Sequence, residues 1–268
     1  MDARPVRVGV FQSGPGGRPT DRLARLARAM DDQSHDLVVC PELFMSGYNI
    51  GLDRIRERAE PADGPFAQAA ADLARRRGTA LAFGYPERDG DCLYNAAICI
   101  GADGGLLNRR RKLLLPPSYE GEVFAPGDQP PAVFEVAGLR CGMLICYEAE
   151  FPEAVRALAR AGAEAILVPT ALARQWRVVA DAMIPARSFE NGVWMVYADH
   201  AGEENGLACA GLSCIVSPFG EVRARAGVED ETLIGAVIDR DSVARAQARL
   251  PYLADLPTLL ARIGPVRR

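Results

Sequence analysis

One lysine, one glutamate and one cysteine have side chains that could do chemistry together. Lys112 is the only lysine among 31 basic residues, and all the others are arginine. In a genome biased toward arginine codons, lysine can drift to arginine wherever a solvated charge suffices, but the wide guanidinium cannot replace a compact ammonium inside a tight site. Glu42 and Cys146 add the other two functions, because a thiol becomes an effective nucleophile when a carboxylate takes its proton. The three residue types indicate nucleophilic chemistry if the fold brings them together.

The same three residues lie at or beyond the ends of predicted strands. Glu42 follows the predicted strand at 37–40, and Lys112 comes after the one at 96–100. Cys146 ends the predicted strand at 142–146. In α/β folds the loops beyond the carboxyl ends of strands build the functional site. Each residue also has an ordinary role open to it. Glu42 could cap a turn, Lys112 could be solvated, and Cys146 could be a buried thiol.

Short apolar runs typical of strands alternate along the chain with segments whose apolar residues have helical spacing. This alternation predicts an α/β fold with sheets covered by helices. Predicted strands span 6–11, 37–40, 80–83, 96–100, 142–146, 165–168, 193–198, 214–216 and 233–238, and predicted helices span 23–30, 66–78, 152–162 and 178–190. The last helix is predicted to bend at Pro185. Length and a hydrophobic content of 49% fit one domain, which we place at 1–240. An extended tail with a weak helix is predicted at 241–268.

Composition and charge narrow the class of partner. The net charge is −4 with acidic and basic residues interspersed, so no basic stripe for nucleic acid and no polybasic membrane anchor is present. No stretch approaches the ~20 apolar residues that span a bilayer, and the first residues lack the apolar core of a secretory signal. Seven cysteines, mostly within apolar runs, suit buried thiols in a reducing compartment. We expect a cytoplasmic protein whose ligand is a small neutral or cationic molecule.

Other chemistries fit the sequence less well. The chain has two histidines, His35 and His200, and no Gly-x-Ser-x-Gly motif, which argues against a Ser-His-Asp hydrolase. It has no Cys-x-x-Cys motif, and its five-residue cysteine spacings would point side chains to opposite faces of a strand. The turn at 14–17 contains a proline and no lysine, unlike a dinucleotide or phosphate loop. The sequence predicts neither a metal ion nor a cofactor.

Three segments around the candidate residues have the order and spacing of a known family. They are Cys-Pro-Glu-Leu-Phe at 40–44, Arg111-Lys112, and Leu-Ile-Cys-Tyr-Glu-Ala-Glu-Phe-Pro-Glu at 144–153. Together they resemble the nitrilase superfamily of carbon–nitrogen hydrolases, which implies a four-layer αββα sandwich. Shorter segments, among them Tyr94-Asn95, also resemble the family. Segments 46–51 and 251–256 are most similar to aliphatic amidases of the 5-aminopentanamidase type.

The resemblance implies a Glu-Lys-Cys triad for amide hydrolysis. Cys146 would attack the amide carbon while Glu42 takes the thiol proton, delivers it to the leaving nitrogen and then activates water against the thioester. Lys112 and the backbone N–H of Tyr147 would stabilise the negative charge on the carbonyl oxygen. A guanidinium at position 112 would be too wide and would clamp Glu42.

The resemblance also implies a second acid and a set of substrate contacts. Glu120, eight residues past Lys112, falls where the family carries a further active-site glutamate, although Glu122 lies only two residues away. We expect Glu120 to hold Lys112 charged and to orient the amide. The candidate substrate contacts are Tyr48, Asn49, Tyr119, Tyr147, Thr170, Ala171 and Trp176. Many relatives have a histidine two residues after the lysine, where this chain has Leu114.

The sequence therefore predicts an amidase that hydrolyses a short linear primary amide, including ω-amino or ω-guanidino amides, to a carboxylate and ammonia. A nitrilase or an N-carbamoyl amino acid amidohydrolase would share the triad and stays as an alternative. A non-enzymatic scaffold, or a thiol sensor that uses Cys146, is the alternative from another class. The family also implies self-association as a homodimer or higher homo-oligomer, with the C-terminal tail at the interface.

Overall fold

Two six-stranded sheets pack face to face, and helices cover both outer sides. This architecture comes from a computed structural model that describes residues 4–264. Within that range the strands are β1 (Val6–Gln12), β2 (Leu37–Val39), β3 (Ala80–Asp89), β4 (Cys92–Ile100), β5 (Leu106–Arg111), β6 (Phe134–Val136), β7 (Leu139–Met143), β8 (Ala165–Pro169), β9 (Trp194–Ala198), β10 (Glu203–Glu204), β11 (Leu207–Ala208), β12 (Cys214–Val216), β13 (Val222–Arg225) and β14 (Thr232–Ile238). The helices are α1 (Pro19–Ala29), α2 (Leu52–Arg58), α3 (Pro65–Arg77), α4 (Glu120–Val123), α5 (Pro152–Arg160), α6 (Ile184–Asn191), α7 (Asp241–Arg249) and α8 (Tyr252–Ile263).

The order of strands places the carboxyl ends of the parallel strands at one edge of each sheet. The first sheet has the order β14-β1-β2-β3-β4-β5, and β1, β2 and β3 run parallel. The second sheet has the order β13-β12-β9-β8-β7-β6, and β7, β8 and β9 run parallel. The loops after β2 and β8 meet, because the Glu42 N–H donates to the Thr170 carbonyl at 3.3 Å. The two sheets therefore contribute loops to one region.

Alternation along the strands sorts the side chains between the two faces of each sheet. Val8 and Val10 of the first sheet and Leu167 and Val196 of the second sheet belong to the buried layer between the sheets. The other face of the first sheet packs on α1 and α3, and that of the second sheet packs on α5 and α6. The predicted αββα sandwich is confirmed.

Two predictions about the second half of the chain are wrong in detail. The tail, predicted to be extended with one weak helix, forms two helices, α7 and α8. Val243 of α7 packs into the layer between the sheets, Ala246 on the same face is buried, and the Trp194 indole donates to Ser242 Oγ at 3.0 Å. The helix predicted at 178–190 starts as a π-helical segment, Val179–Met183, before α6. Helical conformation is continuous from 178 to 191, and Pro185, which has no N–H to donate, lies where the π-helical segment changes to α6.

The last helix leaves an apolar face without a partner in residues 4–264. None of the residues of α8 is buried, and Leu259, Leu260 and Ile263 are each more than half exposed. The same part of the chain contains no helix with both the length and the apolar character needed to cross a membrane.

Self-association through α8 stays a prediction. Contiguous apolar surface of this kind is uncommon on monomers, so we expect light scattering to report a mass of at least two 28.8 kDa chains. The variant Leu260→Glu is expected to shift the mass toward one chain, because a carboxylate on the apolar face resists burial. A one-chain mass for the unchanged protein would contradict the prediction.

Candidate active site

Glu42 stands three residues beyond the end of β2, in a tight turn against β3. A Cβ at Gly84 would lie 2.7 Å from Glu42 Cα, so only glycine allows β3 to approach this closely. Leu43 has a φ of 47°, a conformation that stores strain and is often found at functional sites. His200 Nε2 donates to the Glu42 carbonyl at 2.8 Å. Burial and the charge of Arg22 lower the pKa of His200 to about 4, so its ring is neutral.

Lys112 follows β5 directly, and its side chain is fully buried. Its backbone N–H donates to the Asn95 carbonyl at 2.8 Å and continues the pairing with β4. Its Nζ lies 2.6 Å from Glu42 Oε1, and 3.0 and 2.9 Å from Oε1 and Oε2 of Glu120. Burial by itself lowers the pKa of Lys112, but the neighbouring acidic groups, led by Glu42, outweigh burial and raise it. The ammonium therefore stays charged.

The second acid in contact with Lys112 is Glu120, at the start of α4. Both of its carboxylate oxygens accept further hydrogen bonds, from the Tyr48 hydroxyl at 2.8 Å and from Asn95 Nδ2 at 2.9 Å. Glu122 is exposed to solvent. The structure thus brings Glu120, and not Glu122, to the lysine.

The two oxygens of the Glu42 carboxylate have different surroundings. Oε1 accepts from Lys112 and from Asn95 Nδ2, the latter at 2.7 Å. Oε2 is buried and has no hydrogen-bond partner within residues 4–264. Burial is the largest cause that raises the pKa of Glu42 to about 7, against the lowering effect of Lys112. A carboxyl with this pKa and one free oxygen can exchange a proton near neutral pH.

Cys146 begins a short 3₁₀ helix, Cys146–Glu150, instead of ending a strand as predicted. The chain leaves the second sheet just before it, because the Ile145 N–H donates to Glu148 Oε2 at 2.7 Å and not to β8. Cys146 itself has a φ of 48°. This strained turn presents its side chain at the edge where the loops after β2 and β8 meet.

The Cys146 thiol is held next to charged groups but is itself neutral. Its Sγ lies 3.9 Å from the Ala171 carbonyl oxygen, and the residue is 9% exposed. Burial, followed by the charge of Glu42, raises the pKa of the thiol well above its usual value, against the opposing effect of Lys112. The next backbone N–H, that of Tyr147, has no acceptor in the described part of the chain. A donor is therefore free directly beside the thiol.

Side chains of the types that bind metal ions do not cluster in the described part of the chain. No group of three or more His, Cys, Asp or Glu side chains in residues 4–264 is placed to hold a metal ion. His200 is bonded to the Glu42 carbonyl, and His35 packs against Gly9 and Gly235 of the first sheet. Of the seven cysteines, all free, only Cys92 is exposed.

Comparison with known proteins places this geometry in a family. Residues 19–248 match the profile of the family described as Carbon-nitrogen hydrolase, which covers most of the chain. The chain is a carbon–nitrogen hydrolase of the nitrilase superfamily. It is accordingly an enzyme that hydrolyses carbon–nitrogen bonds other than peptide bonds.

Relatives of this carbon–nitrogen hydrolase include proteins named as amidases and nitrilases. The chain is 43% identical over 255 residues to the "Hydrolase in pqqF 5'region" of Pseudomonas protegens, with 93% of this chain and 88% of that protein covered. It is 37% identical over 241 residues to a nitrilase of Pyrococcus abyssi, with 87% and 90% covered. A cysteine-to-alanine mutant of the Nesterenkonia amidase superposes with a TM-score of 0.80 at 30% identity over 98% of each chain. Another mutant of that amidase, with the same TM-score, identity and coverage, shows covalent addition of the acetamide moiety of fluoroacetamide at its active-site cysteine.

Some of the predicted substrate contacts lie at the site of this carbon–nitrogen hydrolase. Tyr48 reaches Glu120 through its hydroxyl, and the Tyr119 hydroxyl donates to the Tyr48 carbonyl at 2.5 Å. Thr170 and Ala171 are buried and turn their carbonyl oxygens toward the Glu42 N–H and the Cys146 thiol. These residues therefore adjoin the two acids and the thiol.

Two other predicted contacts are engaged elsewhere or open to solvent. The Asn49 side-chain amide donates to the backbone carbonyls of Glu204 and Asn205, at 3.0 and 3.1 Å. Asn49 therefore ties its loop to the hairpin of β10 and β11. Trp176 is 58% exposed and lies in a short 3₁₀ segment after β8.

Three residues hold the site together: sequence reasoning gave no role to Asn95 or Glu204, and it took Glu148 for a structural acid. Asn95 bridges the two acids, and its segment Tyr94-Asn95 already resembled the family, which was the available signal. Glu204 accepts the backbone N–H groups of Tyr48 and Asn49, both at 2.8 Å. Glu148 bonds the turn before Cys146. Glu204 is 156 residues from Tyr48, a separation across which local sequence patterns carry no signal.

Proposed function

We propose that this carbon–nitrogen hydrolase is an amidase that converts a short linear primary amide to a carboxylate and ammonia through a thioester on Cys146. The observation that carries the proposal is the unequal use of the Glu42 carboxylate. Oε1 is bonded to Lys112 and Asn95, whereas the buried Oε2 has no partner in the described residues. A neutral thiol must lose its proton in order to attack, and Oε2 is free to take it. The adduct at the active-site cysteine of the Nesterenkonia amidase supports cysteine attack in this fold.

In the first half of the reaction the amide carbon becomes bonded to sulfur. The Cys146 proton moves to Glu42 Oε2 while the S–C bond forms and the carbonyl oxygen gains negative charge. The Lys112 ammonium has three N–H donors: one bonds Glu42, a second is shared between the two oxygens of Glu120, and the third serves that oxygen. The free N–H of Tyr147 is the second donor. The C–N bond then breaks as Glu42 returns the proton to nitrogen, and ammonia leaves.

In the second half the thioester is hydrolysed with the same groups. Water attacks the thioester carbon while Glu42 takes one of its protons. The C–S bond breaks, Glu42 returns the proton to sulfur, and the product leaves as a carboxylic acid that gives its remaining proton to solvent and becomes the carboxylate. The proposed steps use the water, the side chains of Glu42, Lys112 and Cys146, and the backbone N–H of Tyr147.

The substrate class is an extension of the same proposal. A net charge of −4 is compatible with a cationic ω-amino or ω-guanidino amide, since acidic proteins favour cationic ligands at a distance. A nitrilase is the second candidate, because the Pyrococcus abyssi relative carries that name. An N-carbamoyl amino acid amidohydrolase would use the same thiol and release carbon dioxide as well as ammonia.

Product analysis across substrates tests the proposal. Ammonia release is measured from linear amides, ω-amino amides, ω-guanidino amides, nitriles and N-carbamoyl amino acids, with Cys146→Ala run beside the unchanged protein. Turnover of one amide group by the unchanged protein alone supports the proposal. Turnover of nitriles alone, or release of carbon dioxide together with ammonia, favours the respective alternative. No ammonia from any compound would contradict the amidase assignment.

The pH dependence of kcat/KM is expected to report Glu42. Burial raises its pKa to about 7, and only the deprotonated carboxylate can accept the thiol proton. As the pH falls below that pKa, kcat/KM should fall about tenfold per pH unit, and above it the rate should level off. Steady-state assays between about pH 5 and pH 9 test this, with Tm recorded at each pH to exclude unfolding. An acid limb at the usual glutamate pKa would contradict the assignment of Glu42 as the base.

A further inference from the structure

Glu148 lies between the two halves of the site, and the proposed mechanism uses no atom of it. It is the third residue of the 3₁₀ helix that Cys146 begins, and it is 3% exposed. Its Oε2 accepts the Ile145 N–H at 2.7 Å, and its Oε1 accepts the Leu113 N–H at 2.9 Å. The Arg110 guanidinium pairs with both oxygens, with Nε 3.3 Å from Oε2. Both carboxylate oxygens are therefore fully bonded.

These bonds connect the chain on either side of Lys112 with the turn that carries the thiol. Arg110 and Leu113 flank Lys112 at the end of β5, in the first sheet. Ile145 directly precedes Cys146, at the edge of the second sheet. One carboxylate thus sets the position of the lysine backbone relative to the cysteine backbone. Replacing it would let the two sheets' loops shift apart without removing either reactive side chain.

A second buried acid offers a comparison within the same chain. Glu164 is buried like Glu148, accepts the Arg140 N–H at 2.9 Å and pairs with Arg240 at 3.2 Å. It joins β7, β8 and the start of α7, and none of its partners is next to Lys112 or Cys146. The two acids make the same kinds of bonds, but only one of them spans the site.

We propose that Glu148 is a positioning residue that keeps the Lys112 ammonium aligned with the carbonyl oxygen of a substrate attached at Cys146. This role rests on the proposed function of those two residues. Misplacing a catalytic group by 1 Å costs on the order of 10²-fold in rate, and the cost falls on steps in which charge develops on the carbonyl oxygen. A thiol reaction without a carbonyl has no such charge and is insensitive to the alignment.

The test compares two reactions of the same thiol in Glu148→Gln. Glutamine keeps the size of the side chain, but its NH₂ faces backbone donors and leaves Arg110 without a counter-charge. The first reaction is amide hydrolysis, and the second is modification of Cys146 by methyl methanethiosulfonate, which contains no carbonyl. Both are measured in a Cys92→Ala background, because Cys92 is the exposed thiol. We expect kcat/KM for the amide to fall about 100-fold while the modification rate changes by less than about fivefold.

Two further variants separate alignment from general stability. Glu164→Gln is expected to lower Tm but to keep kcat/KM within about threefold of the unchanged protein. Glu148→Asp keeps the carboxylate and is expected to recover most of the activity lost in Glu148→Gln. If Glu148→Gln does not fold, Arg110→Lys takes its place, since it keeps the charge and loses the forked contact.

The role of Glu148 is overturned if Glu148→Gln retains kcat/KM within about threefold, or if hydrolysis and thiol modification fall by the same factor. It is also overturned if Glu164→Gln loses hydrolysis to the same extent. Failure of the proposed function looks different, because it appears in the unchanged protein as absent amide turnover or in Cys146→Ala as activity that persists. Either of those results overturns the Glu148 role as well.

Discussion

Cys146→Ala is expected to lower ammonia release by at least about 10⁴-fold, because removal of a covalent nucleophile leaves only binding and charge stabilisation. In the proposed mechanism the Cys146 sulfur gives its proton to the free Glu42 oxygen, and the free Tyr147 N–H stabilises the carbonyl oxygen of the substrate bonded to that sulfur. Alanine cannot form the thioester, so no acyl-enzyme should accumulate. Initial rates of ammonia release, together with intact-protein mass after exposure to substrate, measure both effects.

The matched control for this variant is Cys92→Ala. Cys92 is the exposed cysteine at the start of β4, and its loss is expected to leave kcat and Tm unchanged. Cys146→Ala should also keep its Tm within a few degrees, since removing one sulfur atom leaves only a small cavity. Residual activity above about 1% in folded Cys146→Ala would contradict a cysteine nucleophile.

Lys112→Arg is expected to lower kcat by about 10²–10³-fold, which is the cost of losing one donor to the developing negative charge. The lysine side chain is fully buried, and its ammonium is paired with both Glu42 and Glu120. A guanidinium would pair with two carboxylate oxygens at once and would occupy the Glu42 oxygen that the thiol proton needs. Steady-state kcat and KM on the best amide of the panel measure the loss.

The neighbouring residue provides a control for the substitution chemistry. Arg111 precedes Lys112 and pairs with Glu87 and Asp89 near the surface. Arg111→Lys keeps that charge and is expected to change kcat by less than about threefold. A Lys112→Arg protein with near-full activity would show that a compact ammonium is not required, and the survival of one lysine in an arginine-rich chain would then have no chemical explanation.

Local sequence patterns were sufficient to predict most of the strands and helices. The apolar offsets of Phe66, Ala70 and Leu73 predicted α3, which ends at Gly78 in a left-handed conformation with a φ of 60°. β1, β8 and β14 also lie where apolar runs placed them. The tail was misjudged because the amphipathic face of α7 is short and has meaning only against the sheet edge that it covers.

The arrangement within the site depended on contacts that no local pattern encodes. Glu120 and Glu122 are two residues apart and of one type, and only packing turns the first toward Lys112 and leaves the second in solvent. Asn95 is 53 residues from Glu42, and Glu148 is 38 residues from Arg110. Sequence periodicity reports which face of one element is buried, whereas these bonds join elements whose relative position depends on the packing of two sheets.

Residue types and their order along the chain were thus enough to predict an α/β fold, the candidate reactive residues and the resemblance to carbon–nitrogen hydrolases. The folded chain was needed to show which Glu42 oxygen is free, which second acid meets the lysine, and which carboxylate holds the two loops together. Reactive groups are encoded one position at a time, but distances of about 3 Å between them arise only when distant segments are packed against each other.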